Sequence, residues 1–176
     1  VPVNSDIRSS EFVANPRIRF VWYGVVALLL SVIHVVFLRF LEVSSVTPDL
    51  LLIFTVWVAL VEGQFTGMIA GFLCGLLFDA VSTDVIGTNA LAKTVAGFIA
   101  GFFYREGFVS EIIGSARFLF IVALSGLVHN LIYNFFFLRP MQTSFLMFFL
   151  QYGVASTLYT TVAASFPMLY ANRKKD

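Results

Sequence analysis

GQFTGMIAGFLCGLLFDAVSTDVIGTNALAK, residues Gly63 to Lys93, is the stretch whose reading decides the fold. Gly63, Gly67, Gly71 and Gly75 recur every fourth residue and Asp79 continues the line, so on a helix all five share one slowly drifting face. A face without side chains lets two helix backbones come close, which is how small residues drive association where lipid is the solvent. The stripe ends in a polar segment, Asp79 to Asn89, that carries two carboxylates, Asp79 and Asp84, between apolar flanks. The fold therefore turns on what meets the glycines, and the site on what satisfies the carboxylates.

Outward from that stretch the chain is almost uniformly apolar. Of its 176 residues 59% are hydrophobic and only 12% charged, about half the charged share of a soluble domain. Uncharged runs cover Phe20–Leu38, Leu50–Val61, Gly63–Phe78, Thr94–Tyr104, the segment from Phe118 to Leu138, and Pro140–Asn172, and several reach the roughly 20 residues that cross a bilayer. The expectation is an all-α polytopic membrane protein, a compact bundle of six transmembrane helices forming one integral membrane domain over residues 1–176. Residues 1–19 read as a cytoplasmic tail, 20–170 as the bundle and 171–176 as a second cytoplasmic tail. The first run is followed by Arg39 and not by a small-residue cleavage site, so it reads as a retained span.

Span one opens on an interfacial pair, Trp22 and Tyr23, and contains His34, which is expected to hydrogen-bond a neighbouring helix. Val46-Thr47-Pro48-Asp49 reads as a helix start, with Thr47 as cap, Pro48 in the first turn and Asp49 at the positive end of the dipole. The span that follows has twelve uncharged residues before Glu62, short for a hydrocarbon core. Two short full spans are preferred over a re-entrant hairpin with Glu62 and Gly63 at its tip, because that tip is charged. Span four repeats the small-residue chemistry, with Lys93, Gly97 and Gly101 on one line and Ala92, Ala96 and Ala100 beside it. Span five places Ser125 with His129 and Asn130 with Asn134; span six carries Gly153, Thr157, Thr161 and Ser165.

Lysine and arginine placement sets orientation. With an inside N-terminus, the inner segments hold Arg8, Arg17, Arg19, Arg105, Arg117, Arg173, Lys174 and Lys175, against Arg39 and Arg139 outside. Asp49, Asp79, Asp84, Asn89 and Lys93 then gather as an outer polar cluster, with an Asp79–Lys93 ion pair expected between spans three and four. The net charge of +1, with no concentrated basic face, argues against a nucleic-acid partner. The single cysteine, Cys74, reads as a small apolar filler.

Catalytic patterns are absent from the sequence: there is no Walker loop, no HExxH helix, no GxSxG elbow and no metal-ligand spacing. Ser125 with His129 reads as interhelical polar contact in preference to nucleophile and base, and an Asp49–Asp79 aspartyl dyad is disfavoured because each carboxylate has another use. No catalytic residue, metal or cofactor is expected.

Thr47-Pro48-Asp49-Leu50-Leu51-Leu52, the ladder Gly67 to Gly75, Leu76-Leu77-Phe78-Asp79 and Gly87-Thr88-Asn89-Ala90-Leu91, taken in order, resemble the central signature of the rod shape-determining protein MreD family. That resemblance implies a non-enzymatic scaffold of the bacterial cell-elongation machinery in the inner membrane. It implies MreC as a partner, together with RodA and its class B penicillin-binding transpeptidase, coupled to MreB filaments, with membrane lipid as surroundings. It also implies a bundle similar to the substrate-binding components of energy-coupling-factor transporters. The helix-packing or partner-interface residues are then Gly63, Gly67, Gly71, Gly75, Gly97 and Gly101. The alternative is a small-molecule-binding membrane subunit of a transporter, favoured by the outer polar cluster, though span one has only Ala27 where such subunits carry an Ala-xxx-Ala docking pattern.

Overall fold

A computed structural model describes residues 16–37, 42, 46–82, 85–137 and 145–173. The described residues are almost entirely helical and contain no extended strand. In order they form α1 (Pro16–Phe37), α2 (Leu50–Glu62), α3 (Gln64–Val81), α4 (Thr88–Gly101), the short α5 (Val109–Ile113), α6 (Ala116–Phe137), α7 (Phe145–Phe148), a π-helical turn (Phe149–Gly153) and α8 (Val154–Arg173). Four of these pieces are long and apolar enough to cross a membrane: α1, α3, α6 and the continuous rod from α7 through α8.

The described part of α1 opens on Pro16, a residue tolerated in the first turn of a helix, where its missing N–H costs nothing and its fixed φ suits the helix. α2, at 13 residues, is the shortest of the main helices and the most enclosed. Leu51, Leu52, Thr55, Val56, Val58, Ala59 and Leu60 are all sealed from the surface, so apolar residues face protein on every side. Because α2 has protein around it, its length does not have to match the hydrocarbon thickness. One side joins Leu60 and Val56 to Ile112, Phe118, Ile121 and Ala164 of α5, α6 and α8. The other packs Leu51, Phe54 and Val58 on Ala27 of α1 and Cys74 of α3.

Gly63 alone separates α2 from α3. Its φ of 90° lies in the region that L side chains avoid, so the reversal needs glycine. This moves Gly63 out of the packing stripe: it is the hinge, facing the Tyr104 ring, and not a contact between helix faces. From there α3 runs antiparallel to both α2 and α4, with Gly67 against Ala59 and Gly97, Gly71 against Thr55 and Lys93, and Gly75 against Asn89 and Ala90. Gly101 meets Gln64 at the near end of the same seam. The stripe thus packs inside the chain.

On α8 the buried line is Gly153, Thr157, Thr160 and Ala164, whereas the expected Thr161 and Ser165 stand only partly covered. Four-residue steps overshoot the 3.6-residue turn, so a stripe read in fours drifts off the buried face after two turns. The last rod continues through Pro167 to Arg173.

Candidate functional site

The charged and polar residues of the helix ends collect in two places. At one end of the bundle Arg19 pairs with Glu62 at 2.8 Å, and the Tyr23 hydroxyl donates to the same carboxylate at 2.6 Å. At the other end lie His34 of α1, Asp49 before α2, Asp79 of α3, Asn89 and Lys93 of α4, and His129, Asn130 and Asn134 of α6.

Asp49, and not Thr47, caps α2. The Leu52 N–H donates to Asp49 Oδ1 at 2.9 Å, the helix begins at Leu50, and Thr47 and Pro48 precede it. The Asp49 N–H donates to Thr160 Oγ1 of α8 at 3.0 Å, which ties this cap to the last helix. Its second carboxylate oxygen, Oδ2, accepts from Lys93 Nζ at 2.5 Å, with His129 Nε2 at 3.5 Å. Lys93 is completely buried: Asn89 Oδ1 lies 3.4 Å from its ammonium, which also sits 5.0 Å from the centre of the Phe78 ring. The lysine's carboxylate partner is therefore Asp49, from the segment before α2.

Asp79 serves a different purpose. Gly87 begins α4 as a cap residue in left-handed conformation (φ 99°) with no side chain to accept the first amides of the helix. Asp79 reaches across from α3 and accepts them, from Gly87 at 2.8 Å, Asn89 at 3.2 Å and Ala90 at 3.1 Å. The expected Asp79–Lys93 pair does not form, because both groups are engaged elsewhere, and no hydrogen bond joins the two aspartates. The carboxylate lies at the positive end of the α4 dipole. Asp79→Ala removes the acceptor of three amides and is expected to cost about 2 kcal/mol or more, with Asp79→Asn milder because it keeps one acceptor oxygen. Thermal unfolding of the purified protein in detergent checks this; equal melting of wild type and Asp79→Ala would rule it out.

Asp84 lies outside the described residues. His34 stacks edge-on to Phe78, centroids 4.8 Å apart, and its Nδ1 has no hydrogen-bond partner, so the expected interhelical bond is replaced by an aromatic contact. Ser125 Oγ is buried and likewise unpartnered, which leaves no nucleophile–base pair with His129. Asn130 donates to the Gly153 carbonyl at 3.2 Å and to Thr157 Oγ1 at 2.9 Å, joining α6 to the π-helical turn and α8. Cys74 is a buried free thiol in the α1–α2–α3 cluster.

His34, Asp49, Asn89, His129, Asn130 and Asn134 line a cavity of about 280 Å³, which Phe78 of α3, Phe148 of α7, the π-helical turn and Ser156 of α8 also border. Sequence reading found Asp49, Asn89 and Lys93 but did not assign His129, Asn134 or Tyr152 to the same place. Only the folding of α6 and the π turn against α2 brings them there.

The sequence profile of the rod shape-determining protein MreD family matches residues 17–106, just over half of the chain. The chain belongs to the MreD family. The match runs from the start of α1 past the end of α4 and so takes in the glycine seam, the Asp79 cap and the Asp49–Lys93 pair. Compared with curated proteins and with solved structures, the chain finds no match. MreD membership gives it a role in rod shape determination as a structural membrane protein.

Proposed function

We propose that this MreD chain is a non-enzymatic scaffold in the bacterial inner membrane, which binds MreC and helps couple RodA and its class B penicillin-binding transpeptidase to MreB filaments. In this reading the chain is a multi-pass six-helix bundle formed by α1, α2, α3, α4, α6 and α8. Both termini are cytoplasmic and the Asp49 end faces outward, with a shape similar to that of energy-coupling-factor substrate-binding components.

The observation that carries the proposal is how the site's strongest groups are used. Asp79 is spent on a helix start and the Lys93 ammonium on Asp49, so both hold helices in register. The glycine seam is also occupied within the chain, which leaves a partner's span to pack elsewhere. α1 offers the surface: Val25, Leu28, Leu29, Val32 and Val36 are all exposed on it. The expected result is that Val25→Ser with Leu29→Ser lowers recovery of MreC from mild detergent at least about tenfold while the folded bundle still accumulates, since both positions lie outside the core. Recovery of paired ATPases in place of a single-span partner and wall synthases would overturn the scaffold. It would favour the second reading, a small-molecule-binding transporter subunit, which draws on the polar cavity.

A further inference from the structure

The cavity at the Asp49 end has a wall chemistry that selects a ligand, independently of whether the scaffold reading holds. At about 280 Å³ it lies just below the roughly 300–1,000 Å³ of drug-sized small-molecule pockets, which suits a small ligand. Charge decides the first step. The carboxylate of Asp49 is 14% exposed, whereas Lys93, which neutralises it, is sealed at 0%. An anion entering the cavity would meet the carboxylate and not the ammonium. A cation would find that carboxylate already bonded to Lys93 and faced by His129.

Polarity decides the second. Asn89 and Asn134 both line the cavity, both are more than nine-tenths buried, and the Nδ2 of each has no hydrogen-bond partner. A buried amide without an acceptor costs about 1–3 kcal/mol, which an incoming oxygen would recover once the side chain turns its Nδ2 into the cavity; at Asn134 that turn gives up no hydrogen bond, and at Asn89 it gives up the long 3.4 Å contact of Oδ1 with Lys93. An apolar guest would leave that cost in place. Phe148 and Tyr152, which line the same cavity, form a tilted aromatic pair, centroids 4.6 Å apart, suited to the C–H face of a ring. Phe148 immediately precedes, and Tyr152 belongs to, the π-helical turn Phe149–Gly153, an irregularity that often accompanies functional sites. A side chain at Gly153 would press on Asn134 Nδ2, 2.9 Å away.

We propose that this cavity binds a neutral, hydroxyl-rich small molecule of sugar-ring size, its oxygens accepting from the amides of Asn89 and Asn134 and its ring resting on Phe148 and Tyr152. The same chemistry is offered by a free sugar and by the headgroup of a neutral glycolipid. The full chain, purified in a sugar-free detergent, is to be melted with glucose, hexyl glucoside, glucuronate, glucosamine or cyclohexanol. Glucose or hexyl glucoside is expected to raise the melting temperature saturably, and the two charged sugars and cyclohexanol are not. Comparable affinity for the first two identifies a free solute; preference of about tenfold or more for hexyl glucoside, roughly one hydrogen bond's worth or more, identifies a lipid headgroup. Asn134→Leu removes an unpartnered amide, so it should melt no lower than wild type without probe yet bind about tenfold more weakly. Ser156→Leu, which fills the cavity rim, should abolish the shift and serves if Asn134→Leu fails to fold. No saturable shift with either neutral probe overturns the proposal, as does an equal shift with the charged sugars or unchanged binding in both variants.

Discussion

Gly71→Ala is expected to reduce the yield of folded, monodisperse protein by about tenfold or more, and Gly75→Ala to do the same. A single methyl carbon at Gly71 would intrude on the Lys93 carbonyl oxygen, and one at Gly75 on the backbone of Asn89 and Ala90. These are backbone atoms inside helix α4, which cannot move aside as a side-chain tip would. Accommodation requires α3 and α4 to separate, and separation breaks the Asp79 cap and the contacts with Thr55 of α2 at once. Overpacking a core commonly costs about 1–3 kcal/mol, and a clash with fixed backbone belongs at or above the top of that range. The control is Gly24→Ala on α1, where an added carbon meets nothing within 4 Å. There the better helix propensity of alanine should leave yield unchanged or higher. Size-exclusion profiles of the three variants in one detergent decide the matter. Normal profiles for Gly71→Ala and Gly75→Ala would mean that the seam is not a close backbone contact.

The seam was legible because its signal is local. Glycine every fourth residue puts a bare stripe on a helix whatever the rest of the chain does, and a second small-residue helix follows within 14 residues. What the stripe cannot announce is its occupant, and Gly63, though in phase with it, proved to be the hinge because a positive φ outranks periodicity. The burial of α2 was equally present in its composition, since a helix apolar all round belongs inside. The shortness of α2, 13 residues, bears on how it meets the bilayer and not on that burial. The partners of the charged groups were not legible. Asp79 and Lys93 have opposite charge on consecutive helices, which suggests pairing, but the donors to Asp79 are backbone amides. Residue identities do not display N–H groups, although a helix starting at glycine, with no side chain to cap it, does imply that its amides need an outside acceptor. The cavity was hidden for a related reason: His129, Asn134 and Tyr152 reach Asp49 only through the packing of α6 and the π-helical turn.

The second large effect concerns Lys93. Lys93→Met is expected to cost about 3–5 kcal/mol, because it strands the Asp49 carboxylate in a nearly closed site with only the Leu52 N–H and His129 beside it. Asp49→Asn should cost as much: it leaves an ammonium with 0% exposure and no carboxylate partner, facing neutral amide oxygens and the Phe78 ring, while the α2 cap can persist through the asparagine oxygen. The double variant, with both charges gone, should recover a large part of the loss, giving a coupling of about 2 kcal/mol or more, within the range for directly interacting groups. Two methyl-sized adjustments of shape replace a buried ion pair whose desolvation already offset much of its attraction. The same cycle run on Asp79→Ala and Lys93→Ala should give a coupling well below that of the first, since those side chains share no hydrogen bond and meet only through Asn89. The two cycles together separate the architecture from its closest rival, an Asp79–Lys93 pair, which demands the reverse pattern: strong coupling in the second cycle and none in the first. Chemical denaturation in mixed micelles, with each variant measured at equal detergent, gives the four corners of both cycles. If Asp49→Asn and Lys93→Met prove additive, the ammonium is held by something other than Asp49, and the cavity wall loses the neutral pair on which its preference for uncharged ligands depends.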